Sequence, residues 1–425
     1  MMLPLPPGAA PLAASRRSAL KLGLLGLAGM GAPALAQGNK GFTHCVASGE
    51  PGPTQVLLWT RYASTAEAQL GWELAEDADF TRIAASGETT ASPANDCCAR
   101  AWAKGLRPGR WYFYRFIAPD GEKSPVGRTR TLPVGKVDKF RIAVFSCSNY
   151  GFGWFNAYGH AAEAGDFDLV LHLGDYFYEY ARGTYPDAGE GLAERLVPVD
   201  EAVTLAGYRE RFSTYRLDPD LQRLHQLYPV ITMWDDHEVA NDAWKDGAEN
   251  HQPESEGTYA GRETVAEKAY REWLPVSEAY WAQYEIGKLA TLFRLETRHV
   301  AREKPFDLGD LMKGKRGPAL EAALVAFRDG TWRDPARTLL GAQQEAWLGQ
   351  SLKQSVKAGK PWQVLAQQVI MGEFGFGTDL VSGMSKDVDP TMRARILAAA
   401  RMQQSGIPYA MDMWSGYPAA REQIG

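Results

Sequence analysis

Four consecutive ionisable residues, Asp235-Asp236-His237-Glu238, directly follow the apolar run PVITMW. Taking such a cluster out of water costs several kcal/mol unless a counter-charge meets it, and a metal centre supplies one. Two other apolar runs end in the same way. RIAVF leads into FSCSN with Cys147, and DLVLHLGD ends on Asp175, with Tyr178 and Glu179 close behind in GDYFYE. Runs that are apolar on both faces suit parallel strands covered by other layers. Open sheets of that kind collect functional groups just beyond the carboxyl ends of their strands. PWQVLAQQ and IPYAMDMW are predicted to be further strands. AGRETVAEKAYREWL and LLGAQQEAWLGQSLKQSV space apolar residues three or four apart, as helices packed over a sheet do. Residues 139–425 are therefore predicted to be an α/β domain. Gly-, Pro- and charge-rich loops at 181–207 and 244–257 would edge or cover its site.

Residues 42–134 have a different rhythm. VLLWTRY, GWELAE and WYFYRFIAP alternate or cluster β-formers between turn residues, which predicts a small β-sandwich, with 133–137 as linker. GLRPGR before WYFYRF and GRTRTLP after it resemble the end of a fibronectin III/Ig-like domain. Ahead of the sandwich, Ser15-Arg16-Arg17-Ser18 leads into LGLLGLAGMGAPALA and the small-residue site Ala34-Leu35-Ala36. This resembles a twin-arginine signal peptide over 1–36, although Ala19 stands where such signals usually carry a large apolar residue. The apolar stretch is shorter than the ~20 residues that span a bilayer. The chain is expected to use the twin-arginine translocase for export to the periplasm or medium, with no stable membrane span. Net charge −5 with 23% charged residues gives no basic arm and no nucleic-acid-binding module. Four cysteines, two of them the neighbours Cys97 and Cys98, do not make a disulfide framework; a bridge from Cys45 to Cys97 or Cys98 is left open.

Taken singly, each cluster has an ordinary explanation. Cys147 alone suits a buried small side chain, Asp175 a helix cap and Tyr178 core packing. Recurrence of strand-then-ligand at Cys147, Asp175 and Asp236 makes the case for one centre. FSCS, GDYFY and DDHE together resemble the motif series of the metallophosphoesterase superfamily. With Cys147 in the first motif, LETR at 295–298 and LLGAQQEAWL from Leu339, they resemble its alkaline phosphatase D, or PhoD-type, family in particular. The resemblance implies an α/β/β/α fold behind the sandwich and hydrolysis of small phosphate mono- or diesters by metal-activated water. It also implies iron (Fe3+) and calcium (Ca2+) as cofactors, other divalent metals being open. Three anionic donors, Cys147, Asp175 and Tyr178, suit a trivalent ion. Asp236 would face a second, calcium-type ion, with Asn241 or Asp242 as a further oxygen donor. His237 is the expected acid or phosphate contact, with Asp236 beside it and Asp235 or Glu238 orienting it.

His172, within DLVLHLGD, is read as structural; His225 and His299 have no partner motif, and His251 reaches the site only if its loop folds over. Trp154 and Phe155 either line a substrate mouth or pack. Family members continue past the segment resembling 412–421 to a GDxH-type motif. Here the Gly-Asp pairs begin at Gly165, Gly174 and Gly309, and none leads to a histidine. The expectation is thus a C-terminally truncated chain whose domain and metal sphere are incomplete. The alternative is a catalytically weak or inactive extracytoplasmic protein that binds phosphate esters.

Overall fold

Alternating burial builds the first third of the chain. Strands β1 (Gly41–Gly49), β2 (Gln55–Ala63), β3 (Ala68–Ala75), β4 (Ile83–Ala91), β5 (Cys98–Lys104), β6 (Trp111–Ile117) and β7 (Gly127–Arg130) form two antiparallel layers. The layers run β5-β2-β1 and β4-β3-β6-β7. Leu70, Trp72 and Leu74 point inward along β3, and Tyr112, Tyr114 and Phe116 along β6, onto Val46, Val56 and Leu58. The computed structural model describes residues 41–187, 189–372, 375, 382–385 and 388–424, so the leader expected over 1–36 lies outside the described residues. Among the described residues, no helix is long and apolar enough to cross a membrane, and all four cysteines are free.

Three short parallel strands follow: β8 (Ile142–Phe145), β9 (Leu169–His172) and β10 (Pro229–Thr232). They extend the front layer of the sandwich into one sheet, ordered β5-β2-β1-β10-β9-β8. Ser48 pairs with Pro229 and Gly49 with Val230 in parallel. The sandwich therefore does not merely precede the α/β region but shares a sheet with it. Gly49 allows this junction, because a Cβ there would lie 2.2 Å from the Pro275 carbonyl oxygen and 2.8 Å from that of Val230.

The apolar runs are explained by coverage on both faces. Val170 and Val230 face α1 (Asn156–Ala164), α2 (Leu205–Arg216), α3 (Pro219–Leu227) and α4 (Tyr259–Trp273) through Tyr158, Phe212, Leu221, Leu224 and Trp273. Leu169, Leu171, Ile231 and Met233 face a second sheet of β11 (Ala282–Ile286), β12 (Ala290–Arg294) and β13 (Trp362–Ala366), meeting Tyr284, Ile286 and Leu292. Beyond that sheet, α5 (Gly317–Asp329) packs on Met402, Ile407 and Met411. Leu348 of α6 (Gly341–Lys357) meets Phe293 and Leu295. This is the expected α/β/β/α layering behind a β-sandwich. IPYAMDMW, expected as a strand, is instead a turn ending in a short 3-10 helix, Trp414–Gly416. Ile407 and Met411 serve the α5 core and Trp414 the core under α6, and the Trp414 N–H goes to the Ile370 carbonyl rather than to a ladder.

Candidate metal centre and active site

Parallel register sets the carboxyl ends of three strands side by side: Thr232 is level with His172, and His172 with Phe145. The loops that leave these ends are bonded to one another. Cys147 N–H donates to the Gly174 carbonyl (3.2 Å) and Ser148 N–H to that of Asp175 (2.9 Å). Cys147 and Asp175 both hold the left-handed conformation, at φ 58° and 50°, which is costly for residues with side chains and concentrates at functional sites. Gly174, at φ 100°, lets the Asp175 loop approach Asp235; a Cβ there would lie 2.5 Å from the Asp235 nitrogen. Buried Glu238 accepts from the backbone N–H groups of Asp235 (2.7 Å), Asp175 (3.2 Å) and Tyr176 (2.6 Å), tying the second loop to the third.

The result is a compact donor set. One side-chain ligand atom each from Asp175, Asp236 and His237 lie within 4.8 Å of one another, and all three residues are buried. Tyr178 donates its hydroxyl to Asp175 Oδ2 at 3.2 Å, while Asp175 Oδ1 is buried with no partner among the described residues. Burial, then Asp235 and Asp236, push the Asp175 carboxyl well above the usual range. Cys147 stands at the exposed edge, its thiol pushed up to about 11 by partial desolvation and then by Asp175. Burial and Asp175 also raise the Tyr178 phenol. An orphaned carboxylate oxygen amid mutually repelling carboxylates, with a thiol and a phenol beside it, fits a cation. Asn241 is engaged elsewhere, its Nδ2 donating to Glu249 at 3.0 Å and its N–H to Glu179 at 2.8 Å. The neighbouring Asp242 gives its N–H to Asp236 Oδ2 (2.7 Å), and its own carboxyl is raised to about 7 by burial, Asp412 and Asp236.

Arg298, from the LETR stretch, balances part of this charge. It pairs with Asp235 (2.5 Å), Asp236 (3.3 Å) and Asp412 (2.8 Å). Against the opposing effect of burial, Arg298 and His237 hold Asp236 below the ordinary carboxylate range. Arg298 is itself fixed: Glu296 accepts the N–H groups of Arg298, His299 and Val300, and Gln344 of α6 bonds both the N–H and the carbonyl of Glu296.

His237 Nδ1 is 2.7 Å from Glu179 Oε2, and Tyr178 lies against the ring with centroids 4.3 Å apart. The orienting carboxylate is thus Glu179, not Asp235, which pairs with Arg298, nor Glu238, which serves the backbone. Fully buried Glu179 is held by the N–H of Asn241 and by Asn250 Nδ2 (2.9 Å). Burial alone would lower the His237 pKa, but Asp236 and then Glu179 carry it well above 6.5. Glu179 stands in the GDYFYE motif, yet nothing in sequence pairs it with a residue on another loop; the same holds for Arg298 and Asn250. His172 is structural as read, 2.9 Å from the Tyr158 hydroxyl, with burial lowering its pKa to about 3. His225 bonds Tyr176, His299 pairs with Glu263, and His251 pairs with Glu256 while its neighbour Asn250 reaches Glu179. Phe155 packs in the core; Trp154 is exposed against Arg195.

Comparison with known proteins agrees with this layout. The chain is 33% identical to alkaline phosphatase D of Bacillus subtilis (strain 168) over 404 residues, 90% of this chain, and spans 61% of that relative's length. A solved structure described as the structure of PhoD superposes with a TM-score of 0.73 at 32% identity, covering 92% of this chain and 69% of that one. The profile of the N-terminal domain of PhoD-like phosphatases matches residues 29–133, and that of the PhoD-like phosphatase itself matches 142–425. On these matches, the chain belongs to the PhoD-like phosphatase family.

Proposed function

We propose that the chain hydrolyses phosphate mono- or diesters, using His237 and Asp236 beside a metal centre held by Cys147, Asp175, Tyr178 and Asp236. One observation carries this reading: His237, its Nδ1 held by Glu179, stands directly beside buried Asp175 and Asp236, and Asp175 keeps an oxygen without a partner among the described residues. The named relative, an alkaline phosphatase, supports the substrate class. Cys147 and Tyr178 are both protonated on their own at neutral pH, so a strongly polarising ion is required to make them ligands, which favours iron(III) for that half. The oxygen-rich side at Asp236 favours calcium, with Asp242 better placed than Asn241 to assist. When bound, the cations supply Lewis-acid polarisation of the phosphoryl oxygens and acidify the attacking water.

The protein's own part is positional. Glu179 aims the ring of His237, whose second nitrogen can donate to the departing oxygen. Arg298 keeps Asp236 ionised. The Arg16-Arg17 leader supports export by the twin-arginine translocase to the periplasm or medium. The test is release of nitrophenol from nitrophenyl phosphate by purified chain, with metal analysis alongside. Activity is expected to require metal and to vanish in Asp175→Ala; binding without turnover would reject the hydrolase. A tyrosinate-to-iron absorption band that disappears in Tyr178→Phe is the expected signature of iron. A colourless, iron-free and fully active protein would refute that assignment.

A further inference from the structure

We infer that this site carries a subsite for a planar, ring-bearing leaving group, formed by Tyr180, Tyr185 and Phe152 beside His237. The inference rests on the proposed phosphoester reading, because His237 marks the side on which the leaving group departs. From His237 a continuous path of rings runs outward. Its ring centroid is 4.3 Å from that of Tyr178 and 5.4 Å from that of Tyr180. Tyr185 touches both tyrosines, at 5.5 and 5.8 Å, and Phe152 lies 4.9 Å beyond it, edge-on.

The path starts at a buried histidine and ends on two rings that face solvent, Tyr185 being 45% exposed and Phe152 41%. Large aromatic side chains normally end up inside, and two kept together at the surface and continuous with a catalytic group form a platform for a ligand. The platform is preformed. Asn149 accepts the Gly151 N–H (3.0 Å) and donates to the Tyr185 carbonyl (3.3 Å), while the Phe152 N–H bonds the Asn149 carbonyl (3.3 Å). The two loops meet tightly: a Cβ on Gly151 would lie 2.9 Å from Pro186. Offset and edge-to-face packing on such rings favours a flat aromatic group over an alkyl chain or polyol of similar size.

The experiment is calorimetric titration of the purified full chain, with the metal it carries, at a pH where both probes are dianions, using phenylphosphonate and methylphosphonate, which are not hydrolysed and carry a phenyl or a methyl group on the same phosphonate. Phenylphosphonate is expected to bind about two- to tenfold more tightly. Tyr185→Ala and Phe152→Ala should erase that advantage without changing methylphosphonate affinity, and Tyr185→Phe should retain it. Both positions are exposed, so a thermal melt close to that of the parent chain is expected. Equal affinity for the two probes, or an advantage that survives Tyr185→Ala, overturns the subsite and leaves the phosphoester reading standing. Failure of both probes to bind overturns the subsite together with that reading.

Discussion

The neighbours of His237 raise its pKa well above 6.5 in spite of its burial. Asp236 and Glu179 outweigh the desolvation that would otherwise discharge the ring, and Glu179 occupies Nδ1, leaving Nε2 as the donor. If that nitrogen protonates the departing oxygen, its value depends on the leaving group. An alkoxide needs the proton and a nitrophenolate does not. His237→Ala should therefore lower kcat on an alkyl phosphate by about 10²–10⁴-fold and on nitrophenyl phosphate much less. Glu179→Gln, which keeps size and an acceptor but removes the charge, should show the same bias more weakly. Equal losses on the two substrates would assign both residues to binding instead of proton transfer. Asp175, Asp236 and His237 were legible in the sequence because each follows an apolar strand and the sheet itself brings strand ends together. Glu179 and Arg298 were not legible as partners, because loop pairing across tens of residues leaves no local periodicity.

At the scale of elements, the joint between β1 and β10 is the feature that most controls where those strand ends sit. It depends on the absent side chain at Gly49. Gly49→Ala forces a methyl group into the carbonyls of Pro275 and Val230, and with backbone on both sides neither can yield cheaply. The expected loss is about 1–3 kcal/mol or more, read as a lower denaturant midpoint at an unchanged slope. An unaltered midpoint would mean that the two carbonyls move freely and that the joint is soft. Helices α4 and α6 were readable almost to their ends, since their apolar spacing is local and Thr258 caps the first. The continuity of the sheet was not, because Ser48 and Pro229 are far apart in the chain. IPYAMDMW was misread because a short apolar run looks the same whether it joins a ladder or fills a core from a turn.

For the whole molecule, the same layering predicts a marked sensitivity to acid. His44, His172 and His225 are buried where the sandwich, the parallel strands and the helices meet. His44 lies against Trp273 (4.9 Å between centroids) and Ser213 (3.1 Å), His172 against Tyr158, and His225 against Tyr176. Burial lowers the first two to about 3 and the third well below 6.5, with Arg61 and Arg216 adding to the effect at His44 and Arg216 and His172 at His225. The folded state therefore keeps these rings neutral while the unfolded chain protonates them near 6.5. Stability is full above about pH 6.5 and falls as pH drops toward 3, by about 1.4 kcal/mol per pH unit for each ring. His44 and His172 alone would remove roughly 5 kcal/mol by pH 4.5, comparable with the whole stability of many domains. The site carboxyls act in the opposite sense: Asp235 at about 6, and Glu238 and Asp242 at about 7, are raised in the fold and gain stability as pH falls through those values. A cation bound at Asp175 and Asp236 favours the ionised form of these neighbouring carboxyls and weakens that offset, so the metal-loaded protein should show the steeper decline. Thermal unfolding measured from pH 7.5 to 4.5, with and without chelator, separates the two contributions. A melting temperature that stays level between pH 7 and 5 in the metal-loaded protein would contradict the neutral-histidine account, and His44→Gln should flatten the decline if that account is right.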